Sequence, residues 1–317
     1  MPKLSIIIPC YFNQDNLPLT IPRLISLENK YPEDVRFEYI FVDDGSKDKT
    51  YQVLLDFQSR FPDKIKVIKL SRNFGSHNAT MAGLSAATGD CCVFISADLQ
   101  DPPELIPEMY RHWQNGYKFV LANRNKRDDG IFSDTFSNLF HLLIRKFALE
   151  NLPKGGFDFF LFDKQLKDIV LKIDEKNLFI PNLFLWLGFE YVSIPYQREK
   201  RVIGESKWTL SKKIKSFIDN FVSFSYVPLR LISVSGFFFG FLAIIYSFII
   251  IYAKFHKNVP IQGWSSLMIV LLFVSSFIMV SLGVIGEYLW RTLDAARNRP
   301  NYIIDNIIDQ TREKNGS

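Results

Sequence analysis

The chain has 317 residues, 48% of them apolar, enough for one large domain or two smaller ones around a sizeable core. Its formal charge of +5 is modest, and basic and aromatic residues do not alternate as in single-strand binders, so nucleic acid is not an expected partner. Cys10, Cys91 and Cys92 are odd in number and lack zinc-site spacing, which argues against a disulfide framework or zinc site and for reduced core thiols.

The N-terminus enters a strand pattern at once, KLSIIIP, with no signal peptide. The early part is therefore expected to stay in the cytoplasm. Up to about residue 125, the apolar runs LSIIIP, FEYIFVDD, IKVIKLS, CCVFISAD and KFVLAN alternate with helical spacings at 50–61 and 78–87. This βαβα order predicts a mostly parallel sheet covered on both faces by helices. Ligands of such sheets bind at the carboxyl ends of the strands. The polar clusters PCYFNQDN, DDGSKDKT and ADLQDPPE all fall at such ends. In the third, the buried run Cys92 to Ile95 gives way to Asp98, Gln100 and Asp101, and Pro102 and Pro103 forbid the strand to continue. Two readings stand. The oxygens could hold a hard cation, or an aspartate could cap a helix starting near Pro103.

Phe136, Leu139, Phe140, Leu143, Ile144 and Phe147 keep helical spacing beside Arg145 and Lys146. Ile214, Phe217, Ile218 and Phe221 do the same beside three lysines. Each stripe suits an anionic membrane surface or packing against the sheet. For the second, which runs into an apolar segment, the membrane surface is preferred. Leu231 to about Ala253 carries no charge, nor does Trp264 to Gly286. Each is long enough, at about 34 Å of helix, for a bilayer core of about 30 Å. Buried core helices would also be apolar, but two such runs back to back with aromatic ends predict a transmembrane hairpin. The loop 254–263 has only Lys254 and Lys257, whereas many basic residues precede the first run, and Arg291, Arg297 and Arg299 follow the second. That excess places both flanks and both termini in the cytoplasm. The expected organisation is a catalytic domain over 1–210, a juxtamembrane amphipathic helix over 211–229, a hairpin over 230–290 and a cytoplasmic tail over 291–317.

SIIIPCYFNQDNLP, FVDDGSKDKT, SRNFGSHNATMAG, ATGDCCVFISADLQDPPE, ANR and RVIGESKWTL occur in that order before the hairpin. In this the chain resembles family 2 glycosyltransferases of the polyprenyl-phosphate type, which include dolichyl-phosphate mannose synthases and bactoprenol glucosyltransferases. The resemblance implies a GT-A fold, a nucleotide-sugar donor, Mg2+ or Mn2+ and a polyprenyl phosphate acceptor. It also implies a place in the inner (cytoplasmic) membrane among membrane lipids; a homo-oligomer is compatible with it.

Carried over by motif, Pro9, Tyr11, Asn13, Val42, Asp44, Ala97 and Asp98 line the nucleotide-sugar pocket. Asn13 stands where relatives usually have glutamate. Asp98 and Gln100 match metal ligands, while Ser96 replaces a frequent first aspartate. Asp158 matches an aspartate often proposed as a catalytic base and, with Asp98 and Arg124, makes up the catalytic set. Arg124, Arg127, Arg201 and Lys207 form the acceptor- and phosphate-binding set. Relatives often carry arginine at the positions of Phe160 and Pro181. The implied activity is inverting transfer of one sugar, UDP-glucose first among donors, to undecaprenyl phosphate for cell-envelope glycan modification. Alternatives are a UDP-aminoarabinose derivative or GDP-mannose as donor, or a non-catalytic membrane scaffold. Two spans and the lack of QxxRW speak against a processive synthase.

Overall fold

The structure is a computed structural model that describes residues 1–124, 152–153, 157–173, 175, 179–199, 227–257 and 263–309. It divides into two compact units, one of Met1–Asn220 with Pro300–Ser317 and one of Phe221–Arg299. The stripes at 136–147 and 214–221 lie outside the described residues.

The first unit is built on an eight-stranded sheet. Its centre is parallel: β1 (Lys3–Cys10) lies between β2 (Arg36–Asp43) and β4 (Cys91–Phe94), and β3 (Ile65–Leu70) flanks β2. Leu4 and Ile6 to Ile8 are all buried. A strand covered on both faces has no polar side, hence the continuous apolar run. The helices supply that cover: α1 (Leu17–Ser26), α2 (Thr50–Arg60), α3 (Ser76–Ala86) and α4 (Ile106–Gln114). Helix α3 lies close on the sheet because Gly83 has no side chain. A Cβ there would meet Ile7 Cγ2 at 2.5 Å and Val42 Cγ2 at 3.0 Å.

Beyond β4 the direction changes. Strand β5 (Phe119–Arg124) pairs parallel with β7 (Tyr191–Tyr196), and β6 (Phe159–Asp163) runs antiparallel between β4 and β5. Short helices α5 (Lys164–Val170) and α6 (Ile180–Trp186) follow β6. Phe160 is buried among Phe94, Phe119, Phe157, Phe162 and Phe184, with ring centroids 5.0 to 5.7 Å away. Pro181 is buried in the first turn of α6. Both positions where relatives often carry arginine therefore belong to the core.

After the two long helices of the second unit the chain returns. Within the segment expected to be a tail, β8 (Ile304–Ile308) pairs antiparallel with β3 and completes the order β7-β5-β6-β4-β1-β2-β3-β8. It covers an edge that would otherwise expose unpaired backbone groups. Asp309 then meets the buried Lys66 at 2.9 Å, and Lys66 meets Glu38 at 2.7 Å. Lys3 reaches the same Glu38 oxygen at 3.0 Å, while the Ser5 hydroxyl donates to the other at 2.6 Å. The three cysteines are free and buried, as expected of core thiols.

The second unit holds α7 (Val227–Lys257) and α8 (Trp264–Ala296). Segments 227–246 and 266–296 are long and apolar enough to cross a membrane. Their apolar side chains are largely exposed, with Phe237 82% and Met279 69% accessible. That suits a hydrocarbon surround rather than a soluble core. Phe239 packs edge-on against Phe273 and Phe277, tying the two helices together.

Candidate active site

Polar groups gather at the carboxyl ends of the strands. Strand β1 ends in Cys10, and Tyr11 and Phe12 follow, stacked edge-on at 4.6 Å and each 38% exposed. Phe12 takes φ +56°, which turns the chain sharply after β1. Asn13 stabilises this turn: its Oδ1 accepts the Tyr11 N–H at 2.7 Å, and its own N–H donates to Thr50 Oγ1 at 2.8 Å. Pro9 and Val42 are register partners in β1 and β2. Pro9 is partly buried and Val42 fully buried, the latter facing Gly83.

The DDGS turn follows β2. Gly45 adopts φ +65°, and a Cβ there would meet the backbone of Arg72 at 2.5 Å. The turn is therefore pressed against the 72–75 loop. Asp44 makes the join, accepting the N–H groups of Phe74 and Gly75 at 2.7 and 2.9 Å. Burial pushes its carboxyl up to about 6, against the downward pull of those two bonds. Asp43 is also buried and raised, chiefly by desolvation. Its Oδ1 accepts the Ser46 N–H, while Oδ2 has no hydrogen-bond partner among the described residues.

The stretch after β4 speaks against the helix cap. No side chain caps the helical turn at Pro103 or the start of α4. Asp98 instead folds back, its Oδ1 accepting from Ser96 Oγ at 2.8 Å and from the Gln100 N–H at 3.2 Å. Leu99 holds φ +57°, a left-handed conformation that costs a residue with a Cβ about 1 kcal/mol. This turn separates Asp98 from the buried Asp101. Ala97 is buried, and its carbonyl accepts from Thr20 at 2.8 Å. The donors at the turn are the Asp98 carboxylate, the Gln100 amide and the Ser96 hydroxyl. Among the described residues no group of three or more His, Cys, Asp or Glu is placed to hold a metal. This set does not form a cage. It fits a hard cation that takes one carboxylate from protein and its other oxygens from a substrate diphosphate and water, as Mg2+ commonly does.

Strands β5 and β7 bring in the positive charge. Arg124 and Tyr196, their last residues, are direct register partners. Asp158 immediately precedes β6, whose start pairs with the end of β5. Arg124 donates through Nε to Tyr196 Oη at 3.3 Å and pairs through Nη2 with Asp158. Tyr196 in turn donates to Asp101 Oδ1 at 2.5 Å. Burial and Asp101 both drive the Tyr196 phenol upward, so it remains a protonated donor. Arg124 is shifted upward as well: desolvation opposes its charge, but Asp158, Tyr196 and Asp101 outweigh it. Arg198 Nε lies 3.7 Å from Asp101.

Asp98, Gln100, Arg124 and Asp158 thus stand at the strand ends with Tyr11, Asn13 and Asp44, as the sequence suggests. Arg127, Arg201 and Lys207 lie outside the described residues. Sequence reasoning did not select Tyr196, which ends an apolar run like any core aromatic, and it offered Asp101 only as one of the turn's oxygen-bearing residues, a cation ligand or a cap, not as a partner of Tyr196. His77 packs edge-on against Phe179 at 4.9 Å, and burial lowers its basicity despite the opposing charge of Asp158.

The family model for glycosyl transferase family 2 matches residues 5–170. The uncharacterized glycosyltransferase YkcC of Bacillus subtilis (strain 168) is 38% identical over 303 residues, covering 95% of this chain and 93% of its own. A bactoprenol glucosyl transferase of Shigella phage SfV is 30% identical over 305 residues, covering 96% and 98%. Among solved structures, the mannosyltransferase PcManGT from Pyrobaculum calidifontis, in complex with GDP-Man and Mn2+, aligns with a TM-score of 0.50 at 17% identity. That alignment covers 70% of this chain and 64% of the other, a likeness of fold.

Proposed function

The chain belongs to glycosyl transferase family 2 and has a GT-A fold, and on that premise we propose that it transfers one sugar from a nucleotide-diphosphate sugar, UDP-glucose first, to undecaprenyl phosphate. The observation that carries the reading is the meeting of Asp98, Asp101, Arg124 and Asp158 at one set of strand ends. The two bilayer-length helices and the similarity to a bactoprenol glucosyl transferase support a lipid acceptor.

The reaction is a single displacement. A phosphate oxygen of the lipid attacks C1 of the sugar, the bond from C1 to the diphosphate breaks, UDP leaves with the electron pair, and C1 inverts. The attacking oxygen is anionic at neutral pH, so the protein need not supply a strong base. The ion pair between Asp158 and Arg124 favours Asp158 as the holder of the arginine rather than as a proton acceptor. Arg124 supplies planar, directed donors suited to phosphate oxygens. Asp98 and Gln100 would hold Mg2+ or Mn2+. Such a cation neutralises charge on a departing diphosphate. The exposed Tyr11 offers a face for the base. Arg127, Arg201 and Lys207 join this proposal through the sequence resemblance alone.

The return of β8 to the sheet supports a hairpin topology. Residues before α7 and after α8 share one folded unit, so two crossings bring the chain back to the side it left. The basic flanks favour the cytoplasm for that side.

The test uses purified full-length protein in lipid nanodiscs with undecaprenyl phosphate and a panel of radiolabelled nucleotide sugars. Labelled lipid from UDP-glucose is expected. Failure of every donor to label the lipid would overturn the acceptor assignment.

A further inference from the structure

The contacts around Asp101 form a continuous chain, of which the transfer chemistry above uses Asp98, Arg124 and Asp158 but gives no role to Asp101 or Tyr196. Ser96 Oγ lies 2.8 Å from Asp98 Oδ1 and 3.1 Å from Asp101 Oδ2. The other Asp101 oxygen accepts from Tyr196 at 2.5 Å, Tyr196 accepts from Arg124 Nε, and Arg124 pairs with Asp158. The side chain of Asp101 is 3% exposed and that of Arg124 8%, whereas that of Asp158 is 51% exposed. The middle of the chain is therefore enclosed, while its Asp158 end opens to solvent. Asp101 does not cap the following helix. Its two oxygens serve one hydroxyl from each side.

We propose that Asp101 and Tyr196 are positioning residues whose hydrogen-bonded chain fixes Arg124 relative to Asp98, and so sets the distance between the two groups that handle the donor diphosphate. The geometry explains why a tyrosine ends β7. Its ring is buried, edge-on to Phe159 at 6.3 Å, which fixes the hydroxyl in place. Parallel register puts that hydroxyl beside Arg124. With Nε held by Tyr196 and Nη2 by Asp158, the guanidinium plane is locked from two sides. A phenylalanine would fill the same volume and release the arginine. The inference rests on the transfer reading only in naming the diphosphate as what the two groups share.

The experiment is a double-mutant cycle on the full-length protein in nanodiscs, with Tyr196→Phe, Arg124→Lys and the double variant. Four quantities are read: kcat and KM for sugar transfer, calorimetric UDP affinity in Mn2+, and the thermal midpoint. Tyr196→Phe is expected to lower kcat at least about tenfold with KM nearly unchanged. The double variant is expected to fall little below Arg124→Lys alone, because Tyr196 acts through Arg124. UDP affinity should show the same non-additivity. Should Tyr196→Phe fold poorly, Asp101→Leu, which removes the acceptor that holds the tyrosine hydroxyl, takes its place in the cycle. Additive losses in both readouts, a near-normal kcat for Tyr196→Phe, or a loss that only tracks a lowered thermal midpoint would overturn the proposal. Non-additive UDP affinity without lipid labelling would sink the acceptor assignment and leave the positioning chain standing.

Discussion

The amino ends of the central strands and the carboxyl ends of the same sheet each hold a buried charge cluster, built on different plans. At the amino ends two lysines, Lys3 and Lys66, meet two carboxylates, Glu38 and Asp309. The charges balance, and Ser5 and Thr88 fill the remaining acceptor positions on Glu38. At the carboxyl ends, among the described residues, Asp98, Asp101 and Asp158 meet Arg124 and Arg198, with an aspartate in excess and Asp158 half exposed. A balanced, enclosed cluster secures structure and has no capacity for a ligand. An acid-rich, partly open one would be completed by the cation that the proposed transfer requires. The difference separates the end of the sheet that holds the fold from the end proposed to react.

The largest expected effect comes from removing the acidic ligand at the open end. Asp98→Ala, or excess chelator on the unaltered protein, should lower kcat by about a hundredfold or more, in the range seen when charge stabilisation at a reacting centre is removed. The thermal midpoint of the Asp98→Ala protein should change little. Full turnover in chelator would show that the excess aspartate does not serve a cation.

The converse is expected at the closed end. Asp309→Ala leaves Lys66 with one ion-pair partner among the described residues instead of two. Breaking a buried ion pair commonly costs about 3 kcal/mol or more, and the retained Glu38 should keep the loss somewhat below that. Denaturant midpoints should fall, while kcat below both midpoints stays unchanged. An Asp309→Ala protein as stable as the parent would show that β8 lies on the sheet without securing it.

Proton linkage sharpens the contrast, because the two ends shift carboxyls in opposite directions. Burial alone would raise Glu38, but hydrogen bonds from Lys66, Ser5 and the Thr88 N–H outweigh it and bring it to about 2. Its folded value is depressed, so its contribution is fully present above the ordinary carboxylate range and is lost as pH falls toward 2. Asp44 is raised to about 6 by burial. Its ionisation therefore opposes folding, and stability should decline as pH rises from about 4 to 6, then level off. The stability gap between parent and Glu38→Gln should narrow on acidification below about pH 4.5. The parent should lose stability relative to Asp44→Asn between about pH 4 and 6. Equal slopes for parent and Asp44→Asn would remove the burial cost assigned to Asp44.

Legibility in the sequence follows the same division. Strands β1 to β5 were readable because each is a compact apolar run bounded by polar turns. Strand β8 was not: IDNII alternates with polar residues, is only five residues long, and pairs with a strand more than two hundred positions earlier. Its signal is tertiary, held in Lys66 and Asp309 rather than in any local pattern. In the site, Asp98, Gln100, Arg124 and Asp158 sit in motifs and could be named. Asp101 and Tyr196 could not be paired in advance, because only the β5–β7 register brings Tyr196 to Arg124. Phe160 and Pro181 stand where relatives often carry arginine, and their places in the core show that volume governs them here.

Ser96 gives the smallest and most discriminating test. Relatives often carry aspartate there, so the serine could be a lost ligand or a working part. Its hydroxyl lies within 3.1 Å of carboxylate oxygens on both Asp98 and Asp101. It has one proton, so it can satisfy one carboxylate fully at a time while separating both. Ser96→Ala removes that shared donor and leaves Asp98 with the Gln100 N–H. A loss of a few-fold to about tenfold in kcat is expected, equivalent to at most about 1.4 kcal/mol. The Mn2+ concentration for half-maximal rate should rise. Ser96→Asp would bring a third carboxylate against two others, and like charges so close disfavour joint ionisation. It should fall below Ser96→Ala when both are assayed at saturating Mn2+. A Ser96→Asp protein faster than the parent would identify the serine as a vacant ligand position. The open cluster would then be short of acid rather than rich in it, and the contrast with the balanced cluster around Glu38 would fail.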